Sequence, residues 1–437
     1  MLQACARFLL DGLNKSGVNA SALERMMKSH TLFKLVLLIL VTVLPVQPAT
    51  ADETQRRQAK RIHDRLTGVP ADNATINAME TLLGSGSNGA KLAAELAIQN
   101  PAFYNVTLKN FVAPWTNEEQ TVFTPLNDFS ATVIGIVRDR DDFRKILYDD
   151  VIYRGNSASL TIDDYANVNN DHYEQLEALG PVTGNLADPL VLVRDFQSTV
   201  TGLDSAATAG VMTSRAGAMA FFSDGTNRAM LRFTLMNQLC TDLEPLKDVS
   251  RTPDRIRQDV SRSPGGDSRI FLNSCIGCHA GMDGMAGAFA FYEWAYTGDK
   301  ATGSLVFTDN IVSEKHLINA NNFEFGYQTD DDSWVNYWRN GRNWQLGWNG
   351  GYPEENFDGK LNAIGEGAKT LGMELANSQA FAQCQVDKVF KSICLRDPDI
   401  FASDRIARDS FVANFTAGDN YDLQGVFTDT AAFCKGD

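Results

Sequence analysis

The chain has 437 residues, 44% of them hydrophobic and 21% charged, with a formal net charge of −15 at pH 7. That length is enough for one large domain or two to three small ones, and the sequence shows no internal repeat and no low-complexity tract. The acidic balance excludes nucleic acid as an expected partner, because a surface of that sign repels phosphate backbones.

The N-terminus reads as an export signal. Lys28 and Lys34 form a basic flank, Leu35 to Val46 a short apolar run, and Ala49-Thr50-Ala51 a small-residue cleavage site before Asp52, the three parts a secretory leader needs. The apolar run is short for a bilayer span. A mature chain starting at Asp52, with no membrane span, is therefore expected, and an uncleaved leader acting as a tether is the alternative. No cysteine stands at the cleavage point to carry a lipid anchor, and Met26 or Met27 makes a more ordinary start than Met1. Residues 1–51 hold five basic and two acidic residues, so their removal takes the net charge to −18.

Apolar spacing predicts helices over 52–67, 74–83, 90–99 and 141–148. Gly84 to Gly89 spells G-x-G-x-x-G, but a helical pattern rather than a strand precedes it, so a turn between two helices is expected instead of a nucleotide loop. Strand signals are sparse: Thr132 to Val137 and Val191 to Val193. Met230, Phe233, Leu235, Met236, Leu239 and Cys240 sit at helical spacing within 225–246, which ends near Pro245.

After the loop at 261–267 comes Cys275-Ile276-Gly277-Cys278-His279. Cys-x-x-Cys-His attaches haem covalently: each thiol forms a thioether to a vinyl group and the adjacent histidine becomes the proximal ligand of the iron. A zinc half-site would need a second ligand pair, and the chain has no second Cys-x-x-Cys. A redox dithiol would want a strand before it and a helix after it, whereas Asn273-Ser274 precedes and glycines 281, 284 and 287 follow.

Beyond the motif, Trp334, Trp338, Trp344 and Trp348 cluster with Tyr337 and Tyr352 at spacings that fit no single helical face. Core packing in a loop-rich segment is expected ahead of a wall for haem or substrate. Asp330-Asp331-Asp332 lacks the alternating ligands of a calcium loop and reads as solvated. Helices follow over 378–396, 403–415 and 423–433. Ten residues of helix separate Cys384 and Cys394 by about 15 Å, beyond the roughly 7 Å limit for a bridge. Each should therefore pair elsewhere, one with Cys240 and the other with Cys434, as suits an oxidising compartment.

The far side of the iron separates an electron carrier from an enzyme, since a second protein ligand blocks substrate. Candidates are His63, His172, His316 and methionines including Met373; Met282, three residues after His279, stays on the proximal side. His172, in the polar run Asn169 to Glu174, is preferred, with His316 and Met373 behind it. The ordinary reading of each is a surface or packing residue.

Cys275 to Asp283 followed by Ala286 to Tyr292 resembles bacterial exported proteins with planctomycete-type cytochrome domains. Asp142 to Leu147, Ala209 to Thr213, Thr226-Asn227-Arg228, Leu239-Cys240, Phe381 to Cys384 and Val389-Phe390 are similar to other segments of that family, in order. Where those relatives carry Asp-Pro after the motif, this chain has Asp283-Gly284. The resemblance implies a haem-bearing helical protein of the cell envelope and supplies no substrate.

The resulting expectation is a mainly α protein with a helical cytochrome c-like core, long ordered loops and few short strands. Its segments are 1–51 (extension and leader), 52–205, a haem-bearing 206–360, and a C-terminal helical 361–437. One haem c, held by Cys275 and Cys278 and ligated by His279, would pass electrons to a redox partner protein in the periplasm or outside the cell. A haem enzyme with an open sixth site is the rival, and a partner-binding redox sensor the third reading.

Overall fold

Helical periodicity dominates the sequence, and the computed structural model, which describes residues 53–339 and 363–436, is mainly α with three short antiparallel strand pairs. The leader lies outside the described residues, as do Trp344, Trp348 and Tyr352. No helix among the described residues is long and apolar enough to cross a membrane.

Helices α1 (Glu53–Thr67), α2 (Asn73–Leu83) and α3 (Gly89–Ala97) pack together at the start of the unit. Asp72 caps α2, accepting the Thr75 N–H at 2.7 Å, and the glycine-rich stretch after Leu83 is the expected turn into α3. The helix expected over 141–148 is a shorter 3₁₀ segment, Phe143–Leu147.

One element differs in kind. Residues 132–137, expected as a strand, lie inside helix α4 (Asp128–Arg138). Every residue from Asp128 to Val137 is buried, so the helix shows no polar face, and its β-branched run imitates a buried strand. The start signal is a capping box: the Asn127 side chain accepts the Ser130 N–H, and the Ser130 hydroxyl accepts the Asn127 N–H, both at 3.0 Å.

Strand β1 (Ile152–Gly155) pairs antiparallel with β2 (Leu192–Asp195), which realises the expected 191–193 strand. Between them runs α5 (Asp171–Ala178). Helices α6 (Arg215–Phe221) and α7 (Arg228–Leu239) lead to α8 (Ile276–Ala286), which carries the second half of the Cys-x-x-Cys-His motif. The hairpin β3 (Tyr292–Ala295) with β4 (Ser304–Phe307) follows, then β5 (Ser333–Asn336) pairing β6 (Ala363–Glu366). The chain closes with α9 (Gly367–Ala376), α10 (Gln379–Cys394), α11 (Ala402–Thr416) and α12 (Leu423–Phe433).

Among the described residues, the segments expected at 52–205, 206–360 and 361–437 share one apolar core, with Ile62, Phe143, Leu235, Met285, Phe381 and Phe427 all in the same buried cluster of one compact unit. Two disulfides cross it, Cys240–Cys384 and Cys394–Cys434. Cys384 and Cys394 lie on one helix, as expected, and each takes a separate partner.

Candidate functional site

The segment before α8 is a π-helical turn, Phe271–Cys275, an uncommon form that often marks functional positions. It hands the chain to α8 with Cys275 at the cap position. Phe271, Ile276 and Ala280 face inward against Ile256. Leu272 is exposed, and Cys275, Cys278 and His279 are half-buried.

What holds α8 in place is close approach on its other side. A methyl group at Gly281 would fall inside the indole of Trp338. At Gly277 it would meet the Lys247 backbone at 2.9 Å, and at Gly284 the Val335 carbonyl at 2.9 Å. Trp334 and Trp338 are therefore packing residues, fully buried, as the ordinary reading had it.

Among the described cysteines, Cys275 and Cys278 alone are free; the other four are bridged. Burial pushes the Cys278 thiol above its ordinary pKa, the reverse of the thiolate activation a dithiol redox catalyst needs. No group of three or more His, Cys, Asp or Glu among the described residues is placed to hold a metal ion.

His279 is fixed by a carboxylate. Its Nδ1 lies 3.2 Å from each oxygen of Asp283, one helical turn on, whose side chain is completely buried. An ionised carboxylate only accepts, so Nδ1 carries the proton and Nε2 keeps the lone pair that a metal requires. Asp283 is in turn gripped by Arg228, which donates from Nε at 2.7 Å and Nη2 at 3.2 Å. The same guanidinium reaches Asp259 at 2.9 and 3.0 Å and the Thr226 hydroxyl at 2.8 Å. Burial alone would raise the Asp283 pKa, but Arg228 and His279 outweigh it and hold the group at about 2. Two unbonded thiols beside a histidine of defined tautomer are what covalently attached haem asks of a protein, and these residues fit it.

The distal candidates fare differently. His172 does not lie in an open polar segment: it is 1% exposed, Nδ1 donates to the Asp163 carbonyl at 2.7 Å and Nε2 accepts the Gly155 N–H at 2.9 Å. Nε2 holds α5 to β1 and Nδ1 holds it to the loop carbonyl of Asp163, so no lone pair remains for an iron. His63 bonds the Val69 carbonyl at 3.1 Å through Nδ1 and meets the Asn100 amide at 3.4 Å through Nε2. His316 accepts from Arg257 at 2.9 Å through Nδ1, and Nε2 faces the Asn227 amide at 3.5 Å. Met373 is half-buried on α9, and Met282 is buried on α8.

Asp283 and Arg228 are the site residues that the sequence reading did not single out. The i, i+4 spacing of His279 and Asp283 was a usable signal for the first; nothing local points to Arg228, 55 residues from Asp283.

None of the protein families, curated proteins or solved structures compared with this chain matches it.

Proposed function

We propose that the chain carries one haem attached through Cys275 and Cys278, with His279 Nε2 as proximal ligand, and passes single electrons to a redox partner outside the cytoplasm. The carrying observation is the His279–Asp283 pair beside two free thiols: the carboxylate sets the tautomer that leaves Nε2 to the iron. Bound haem supplies an iron centre that changes oxidation state by one electron. The protein's own part is to orient the imidazole and anchor the ring. Exposed Leu272 and Ile270, just before the thiols, offer apolar surface that a porphyrin edge would cover. Two disulfides support an oxidising compartment, and the acidic net charge, −18 without residues 1–51, favours encounter with a basic partner.

Export in a host able to attach haem tests this. The intact mass should exceed the polypeptide by one haem, with pigment surviving acid-acetone extraction, and Cys275→Ser with Cys278→Ser should abolish both. A wild-type mass equal to the polypeptide alone overturns the proposal.

A second reading, a haem oxidoreductase with an open sixth site, is favoured by one observation: the ring nitrogens of His63, His172 and His316 all face partners within the protein. A high-spin ferric spectrum that shifts on adding cyanide selects the enzyme; a low-spin spectrum indifferent to cyanide selects the carrier.

A further inference from the structure

We infer that the ion chain Asp283–Arg228–Asp259 sets how strongly His279 donates to its iron, with Asp283 and Arg228 acting on the redox equilibrium in opposite directions. The inference rests on the proposed haem and names the residues that tune it.

Burial gives the first reason. The side chain of Asp283 is fully buried, that of Asp259 is 8% exposed and that of Arg228 20%. Ion networks taken out of water seldom out-stabilise an apolar packing of the same volume, so their fold value alone is a weak account of these three. Connectivity gives the second. The chain begins on the proximal histidine and runs to Asp259, which Arg257 Nε also approaches at 3.5 Å, and Asp259 and Arg228 help line an open cleft of about 380 Å³ with Thr226, Glu293 and Lys315.

The direction of each effect follows from charge. A carboxylate accepting the Nδ1–H pushes electron density onto the imidazole and favours the more positive ferric iron, which lowers the reduction potential. Arg228 withdraws part of that charge through its two bonds to Asp283 and so raises the potential. Asp259 competes for the same guanidinium, drawing it outward and returning density to Asp283. Asp283 and Arg228 are thus positioning residues, acting on iron through His279.

The test is redox titration of the purified haem-loaded protein, with haem content measured on every sample. Asp283→Asn should raise the ferrous-to-ferric ratio at a fixed applied potential by about tenfold, or 59 mV for one electron, and lower the iron–histidine stretching frequency of the ferrous form in resonance Raman spectra. Arg228→Gln should shift the ratio the opposite way. Asp259→Asn, at the cleft end, should shift it in the same direction as Asp283→Asn but less, and it keeps the inference testable if Arg228→Gln does not fold. Variants that hold wild-type haem but titrate at the wild-type potential, or Asp283→Asn and Arg228→Gln shifting the same way, overturn it. Absence of haem from the wild type refutes the proposed function instead, a separate result read from haem content alone.

Discussion

His316 is buried among cations. Burial lowers its pKa most, and Arg257, Lys315 and Arg228 add to it, so the ring is held neutral down to about pH 2. The unfolded chain takes up a proton near the ordinary value of 6.5, and the folded chain does not. Stability from this ring is therefore complete above pH 6.5 and is lost as pH falls toward 2, by up to about 1.4 kcal/mol for each pH unit. Urea midpoints measured from pH 7 to pH 4.5 should fall steeply in the wild type and more gently in His316→Gln; parallel curves would remove the ring from the account. At this scale the sequence told most where chemistry demands contiguity. The Cys-x-x-Cys-His run is five consecutive residues and so was visible as a pattern, whereas His172 looked available because polar neighbours in sequence say nothing about Gly155 closing over its Nε2 in space.

Among the elements, α8 is tightly constrained, because Gly277, Gly281 and Gly284 admit neighbours that a side chain would displace. Gly281→Ala should cost about 1–3 kcal/mol of stability, the usual penalty for overpacking, since the Trp338 indole must move for the methyl to fit. A thermal or urea melt reads that loss directly, and an unchanged midpoint would mean that Trp338 shifts freely. The glycines after the motif were legible as a run, but read as loop; they let the chain come against the Trp338 indole and the Val335 and Ser333 carbonyls. Helix α4 shows the complementary failure. Where burial encloses every face, the 3.6-residue rhythm disappears, and only the Asn127–Ser130 cap tells helix from strand. Amphipathic α10, by contrast, was read to within two residues at each end.

The whole molecule is closed by its two disulfides. Cys240–Cys384 spans 144 residues and Cys394–Cys434 spans 40. Loop-closure entropy assigns them about 5 and about 4 kcal/mol respectively. Replacing the first pair with serine should lower the urea-extrapolated stability by roughly 1 kcal/mol more than replacing the second, and the reverse order would show native-state strain outweighing chain entropy. That each helix-10 cysteine pairs elsewhere followed from helix rise alone. Which partner each one takes did not, because it depends on how α7 and α12 lie against α10.

The last described residues return to the first helix: Gln58 donates to the Gly436 carbonyl and Arg61 to the Lys435 carbonyl, both at 2.7 Å, and Arg65 reaches the Cys434 carbonyl at 3.4 Å. The two ends of the described unit are therefore clasped together, so that it is topologically close to a ring. A circular permutant joining 436 to 53 through a short linker, cut at the exposed turn 85–87, should keep both native disulfides on peptide mapping.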